Sequence, residues 1–315
     1  LKVAHCSNFK CSTATTNVVD SGGEFQSTSI TIGIDGLPVI SYRDFTNRDL
    51  KVAHCGDLEC GSATPHAVDS GGDVGSYTSI AVGADGLPVI TTYDSTNDDL
   101  KVAHCGDLQC STATTNVVDS GGNVGWSTSI TVGTDGLPVI SYYDSTNNDL
   151  KVAHCSNLTC TSATLTTLDS AGDVGADSSV TVGADGLAII SYYDYPNALK
   201  VAHCSNLACT SATINTVDNA GDIRYNSIAI GAYGLPVISY HDLTNSEIKV
   251  ARCSDQECAN ATLTAIDSAA TSGIDTSITI GADGLPVIMY YDDAVASVKV
   301  AHCDNEFCVP FARRR

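Results

Sequence analysis

Residues 28–55 read TSITIGIDGLPVISYRDFTNRDLKVAHC, and three strands can be read off them. Thr28 to Gly33 is rich in β-branched side chains, which suit a pleated, half-buried surface. It runs into Asp35-Gly36, a pair that favours a tight turn because such turns need a positive φ. A second strand follows at Pro38 to Tyr42, and a polar turn leads to a third at Leu50 to Cys55. A fourth is expected from Ala63 to Val68, closing with Asp-Ser-Gly-Gly. No segment carries a helical period with capping signals, so the chain reads as all-β.

The same unit recurs along all 315 residues. Lys-Val-Ala-His-Cys starts at Lys2, Lys51, Lys101, Lys151, Lys200 and Lys299, with an arginine variant at Lys249. The turn glycine recurs at Gly36, Gly86, Gly136, Gly186, Gly234 and Gly284. A length that would ordinarily suggest two domains is therefore a repeat array. Four antiparallel strands every ~50 residues match a propeller blade, whereas solenoid coils are shorter and sandwiches about twice as long.

The units resemble the secreted propeller repeats of bacteria and archaea with a DGxPxISYYD…LK-A signature. Here it stands as Asp135-Gly-Leu-Pro-Val-Ile-Ser-Tyr-Tyr-Asp144, then Leu150-Lys-Val-Ala. The resemblance covers nearly the whole chain and implies architecture rather than activity.

The expected fold is a β-propeller of six or seven four-stranded blades in a single domain spanning residues 1–315. Complete repeats are expected over about 27–70, 77–120, 127–169, 177–218, 226–267 and 275–315, with residues 1–20 an orphan outer hairpin. Seven blades result if two strands lie upstream of Leu1; six result if terminal strands pair and leave that hairpin over.

All 14 cysteines fall in Cys-x4-Cys pairs: Cys6/Cys11, Cys55/Cys60, Cys105/Cys110, Cys155/Cys160, Cys204/Cys209, Cys253/Cys258 and Cys303/Cys308. Each pair flanks the turn between strands three and four, so its two members are expected to face each other across the hairpin and form a disulfide. A zinc site would need two pairs together, and radial blades hold them apart. Disulfides imply an oxidising compartment, hence a secreted or cell-surface protein.

With 36 acids against 15 bases the net charge is −21, which excludes a nucleic-acid footprint. No apolar run is long enough to span a bilayer, so no membrane insertion is expected. Most acids fall in the two-to-three turns and the interblade connections, on one face of a propeller. Calcium is the cofactor such a face could hold, with Asp69, Asp73, Asp98, Asp99, Asp149, Asp173 and Asp222 as oxygen ligands. Turn formation alone also explains these residues.

Tyrosines ending strand two beside a carboxylate offer a glycan site in each blade: Tyr93/Asp94, Tyr143/Asp144, Tyr193/Asp194 and Tyr291/Asp292. His5, His54, His104, His154, His203 and His302, with Arg252 in the seventh place, fit hydrogen-bonded packing between blades better than a metal ring. The departures from the repeat (Arg43, Trp126, Pro196, Tyr233 and Met289) assemble no nucleophile and base. The expected function is therefore a non-enzymatic extracellular binding or structural module, meeting a protein partner or copies of itself. A multivalent lectin is the alternative and a carbohydrate-active enzyme the third choice.

Overall fold

The structure, a computed structural model, describes residues 1–268 and 273–309. It is a six-bladed all-β propeller. Blade one is a meander of strands Phe25–Ile32, Pro38–Asp44, Asp49–Cys55 and Ala63–Asp69. Blades two to five repeat it, opening with strands Ser76–Val82, Val124–Val132, Asp173–Val182 and Ile223–Ile230. Blade six has three strands among the described residues, Gly273–Ile280, Pro286–Asp292 and Ser297–His302. The strand expected to end at Arg315 lies outside them beyond Val309. A two-stranded hairpin, Lys2–Cys6 with Ala14–Val18, stands ahead of blade one.

Local chemistry sets each turn. Between strands one and two the Gly36 amide bonds the Gly33 carbonyl, and Gly36 takes φ +79°. The Asp35 carboxylate accepts the Leu37 amide, so the loop is longer than the two-residue turn that Asp-Gly suggests. Between strands two and three, Asp44 accepts both the backbone and side-chain N–H of Asn47.

Between strands three and four all seven expected disulfides form: Cys6–Cys11, Cys55–Cys60, Cys105–Cys110, Cys155–Cys160, Cys204–Cys209, Cys253–Cys258 and Cys303–Cys308. Their Cα atoms lie 4.7–4.9 Å apart. Their placement corrects the expected facing of two cysteines across a hairpin. The strand partner of Cys55 is Ala63, and that of Cys105 is Ala113. The second cysteines, Cys60, Cys110, Cys160, Cys209, Cys258 and Cys308, lie inside the turn, outside any strand. Each takes a left-handed φ of 49–53°, and its amide donates to the carbonyl three residues back, as Cys60 does to Asp57. That fold of the turn tucks the sulfur inward, so Cys60, Cys110, Cys160, Cys209, Cys258 and Cys308 are buried although their loops are exposed. The bridge therefore anchors the turn to the apolar seam rather than tying two strands together.

The rest of the core lies in the same seams. Val89, Leu100 and Val102 of blade two pack against Ile130, Ile140, Tyr142 and Ala153 of blade three, and the other seams copy this. Beside the apolar layer runs a row of fully buried hydroxyls, Ser41, Thr91, Ser141, Ser191 and Ser239. Each bonds across to the next blade: Thr78 to Ser41 at 3.1 Å, Ser141 with Ser178 at 2.9 Å, Ser239 with Thr276 at 2.8 Å.

An ionic staple closes each seam. The aspartate that ends a fourth strand accepts hydrogen bonds from the tyrosine hydroxyl and lysine ammonium of the following blade. Asp119 holds Tyr142 at 2.7 Å together with Lys151; Asp169 holds Tyr192 at 2.7 Å and Lys200 at 3.2 Å. Asp218 and Asp267 do the same for Tyr240/Lys249 and Tyr290/Lys299. Asp20, leaving the N-terminal hairpin, treats blade one likewise, meeting Tyr42 at 2.7 Å and Lys51 at 2.6 Å. In blade two, where Thr92 replaces the tyrosine, Lys101 alone meets Asp69.

The strand-three histidines act within a blade, not between blades. Nε2 of His54 meets Asp35 of its own first turn at 2.8 Å, and His104, His154, His203 and His302 repeat the contact. Blade five changes both partners together. Tyr233 replaces the turn aspartate, and Arg252 reaches instead to Glu306 at 2.8 Å and lies over the Phe307 ring.

Replacing Asp119 by alanine would leave the buried Tyr142 hydroxyl without its acceptor and Lys151 with only Asp144, 3.7 Å away, and is expected to cost about 3 kcal/mol by denaturant unfolding. Tyr142→Phe removes one buried hydrogen bond and should cost about 1 kcal/mol. Equal losses would show that the ammonium does not depend on the carboxylate.

Acid should loosen the hairpin seam. Burial alone would raise the Asp20 carboxyl, but bonds from Lys51, Tyr42 and the Gly22 amide hold it lowered to about 2. A folded value below the ordinary 3.8 gives stability that is complete above that value and lost as pH falls toward 2. The protection of Ala14–Val18 amides, taken relative to their intrinsic exchange, should fall over that window, and Asp20→Asn should abolish that fall.

Candidate functional site

Each first strand carries a kink near its start, where the pairing register shifts and one residue takes a positive φ. These residues are Ser27, Tyr77, Ser127, Asp177, Tyr225 and Asp275. The first strands neighbour one another around the ring, so the kinks gather at the axis, on the face that bears the acidic connections. The repeat stops there. Two of the six positions are serine, two tyrosine and two aspartate.

Electrostatic interactions link three of them across the axis. Tyr77 of blade two feels the charge of Asp177 in blade four, and Asp177 raises the Asp275 carboxyl in blade six. Blades two, four and six are not neighbours, so these interactions cross the axis. The Asp177 carboxyl is pushed above the ordinary carboxylate range by burial, although the Tyr225 amide donates to it at 3.0 Å and Arg224 lies near. Asp275 is raised by burial first and by Asp177 second, while its side chain still reaches solvent. Both carboxyls hold their proton more tightly than an ordinary aspartate, and Asp177 is the more enclosed of the two.

Opposite the acids stands an aromatic platform. Tyr77 stacks on Trp126 with ring centroids 5.6 Å apart and planes 27° apart, and Tyr93 leans on the same indole at 5.7 Å. Trp126 donates its N–H to Asn123 at 2.7 Å, which fixes the ring, and Tyr77 stays partly exposed. The flanking cations are committed. Arg43 pairs with Asp73, and Arg224 pairs with Asp222 at 2.9 Å while lying over the Tyr193 ring.

The expected Tyr/Asp sugar sites fall elsewhere and are built differently. Asp94, Asp144 and Asp292 are buried and their oxygens cap their own turns, as when Asp144 accepts from Thr146 and Asn147. Asp194 meets Lys200 at 2.8 Å. Tyr93 donates to Asp98, Tyr143 to Asp173 at 2.7 Å, and Tyr193 to Asp222 at 2.8 Å. Tyr291 is half-buried in blade six. Only Tyr93 reaches the axial platform.

The calcium candidates are likewise not brought together. Asp69 is held by Lys101, Asp73 by Arg43, Asp98 by Tyr93, Asp173 by Tyr143, and Asp222 by Arg224 and Tyr193. Asp99 and Asp149 close their hairpins opposite Asp94 and Asp144. Among the described residues no three His, Cys, Asp or Glu side chains are arranged to hold a metal. Burial and like charge also raise the Asp99 and Asp149 carboxyls.

No family model matches the chain, and no curated protein does. Its fold is shared by solved structures of low identity. A Dyadobacter fermentans protein of unknown function matches with TM-score 0.65 and 10% identity, over 96% of each chain. The GH93 α-L-arabinofuranosidase of Fusarium graminearum, solved with arabinobiose, matches with TM-score 0.60 and 14% identity over 88% of this chain and 92% of that one. The Aleuria aurantia lectin, bound to Fucα1-6GlcNAc, matches with TM-score 0.53 and 12% identity over 87% and 90%.

These likenesses establish the fold, and two expectations are corrected. The non-enzymatic structural module and the exclusion of catalysis do not stand, since propellers of this form include a glycosidase. The ground for excluding catalysis also fails, because Asp177 and Asp275 break the repeat and were hidden among the connection acids. Aligning the repeats at the residue before the Thr/Ser/Asn-Ser pair of strand one would have exposed them.

Proposed function

We propose that the chain is a carbohydrate-active propeller that binds a saccharide in the axial pocket and cleaves a glycosidic bond there. The observation that carries this is the approach of two carboxyls raised by burial, Asp177 and Asp275, to the Tyr77–Trp126 stack across the axis. The stack presents a flat apolar surface of the kind that receives a sugar ring's C–H face. Asp177, whose proton burial holds more tightly than usual, donates to the leaving oxygen. Asp275, which water reaches, serves as the second carboxyl. The likeness in fold to an arabinofuranosidase supports the substrate class, and the likeness to a lectin supports binding of sugar by the same form.

Seven disulfides fit an oxidising compartment, which supports a place outside the cytosol, secreted or at the cell surface. No helix among the described residues is long and apolar enough to cross a membrane.

The test is a panel of aryl glycosides of neutral pentoses and hexoses, α-L-arabinofuranoside included. Asp177→Asn should lower turnover by about 10²-fold or more with the fold intact. The wild-type rate should fall as pH rises through the raised Asp177 pKa, because the donor must be protonated, and the asparagine variant should lose that limb. Sugar binding without turnover would reduce the site to recognition alone.

Binding has its own signal, because Trp126 is the only tryptophan in the chain. A saccharide seated on the stack should change the indole emission saturably. Trp126→Phe should weaken binding, read by calorimetry, about fivefold, since stacked aromatic contacts are worth about 1 kcal/mol. Unchanged emission at saturating sugar would place the site elsewhere.

A further inference from the structure

One seam differs from the rest. The N-terminal hairpin stands between blade six and blade one: Asp20 joins it to blade one, and Lys10 lies 3.4 Å from Asp304 of blade six. The hairpin supplies the positions of strands three and four only. Lys2–Cys6 pairs with Ala14–Val18 and has no second partner among the described residues, whereas Asp49–Cys55 and its counterparts in blades two to five pair along both edges.

The walls of this seam are uncovered. Ile30 is 56% exposed, against 6–7% for its equivalents Ile80, Ile130, Val180, Ile228 and Ile278. On blade six Val298 is 62% exposed where Leu50, Leu100, Leu150, Leu199 and Ile248 are fully buried. Met289, also bare, stands where the hydroxyl row has serine or threonine. At the bottom of the ring each later turn glycine lies against the preceding blade's turn, Gly86 against Ile34 and Gly136 against Ala84, but nothing lies within 4 Å of where a Cβ on Gly36 would sit. A cavity of about 440 Å³ opens between the hairpin and blade six, lined by Cys6, Phe9 and Val287 among others.

We propose that this seam is a receptor for an added β-hairpin with the pattern of the repeat's own inner strands. Its second strand would pair with Lys2–Cys6, and its two apolar faces would cover Ile30 on one side and Met289 with Val298 on the other. Main-chain pairing gives such an addition its affinity and alternate side-chain pockets give it register. Two facts commit the site to this occupant. The groove is bounded by one open strand edge and two apolar walls, the same surroundings that enclose the inner hairpin of blades two to five. Each first and second strand among the described residues is already paired in its own blade, so a second copy has no described inner hairpin to lend. The hairpin is supplied by residues outside 1–315.

A synthetic peptide of residues Val124–Asp144, the inner hairpin of blade three, tests this in trans against the full chain. The expected result is saturable one-to-one binding by calorimetry, a thermal midpoint raised by several degrees, and slowed amide exchange along Lys2–Cys6. Ile30→Asp and Met289→Lys alter exposed positions, so both variants should fold and both should weaken binding at least tenfold. A scrambled peptide should not bind. Absence of binding to the folded wild type would overturn the proposal, as would binding that leaves Lys2–Cys6 amides unprotected. So would sedimentation showing a dimer of the free chain that buries Ile30 and Met289.

Discussion

The aspartate at the end of each fourth strand governs how the blades are joined. A blade is a four-stranded meander whose faces are apolar, and on its own it would leave those faces wet. The apolar layer brings neighbouring blades together without fixing their angle or height. One carboxylate reaching across to a lysine and a tyrosine supplies that direction, because charge-assisted hydrogen bonds are short and oriented. The same side chain also begins the connection to the next blade, accepting amides such as Gly121 and Ala171 two residues on. Chain direction and blade packing are thus set by a single residue type at one position. That it recurs at Asp20, ahead of the first complete blade, shows that the hairpin obeys the same rule.

Chemistry sits where the repetition lapses. The seams demand sameness, since each blade must fit two others. The axial kinks at Ser127, Asp177 and Tyr225 are tied to the next blade through their carbonyls, which any residue supplies, and carry no such demand. Six positions there hold three residue types, with Tyr225 set between Asp177 and Asp275 and Tyr77 across the axis from them. Blade five shows the same freedom at the other end of the molecule. Its Tyr233 and Arg252 replace an aspartate and a histidine together, so the loss of one ion pair is offset by another to Glu306.

Much of this architecture was legible in the sequence. Strand order, blade length and the disulfide pairing follow from periodicity and from cysteine spacing, which are local properties. The left-handed turn that buries Cys60 and its counterparts was not, because spacing says which cysteines meet and not how the loop between them folds. The turn aspartates were legible as turn formers, and Asp94, Asp144 and Asp292 are just that, which removed them as sugar ligands. The axial site was not legible, because its members lie in blades two, three, four and six. Their meeting depends on the radius and closure of the ring. A residue such as Asp177 looks like one more connection acid until its neighbours across the axis are known. Periodicity also pulled attention toward features found in every blade, and the pocket is made of features found in one or two.

The seven disulfides each span a separation of five residues, and none joins one blade to another. The ring is therefore covalently open from end to end. Under mechanical tension a blade that comes away frees nearly all of its own length, about 150 Å at ~3.4 Å per residue, less only the short loop locked by its disulfide. The crosslinks harden each unit locally while leaving the molecule as a whole extensible, in steps set by the blade.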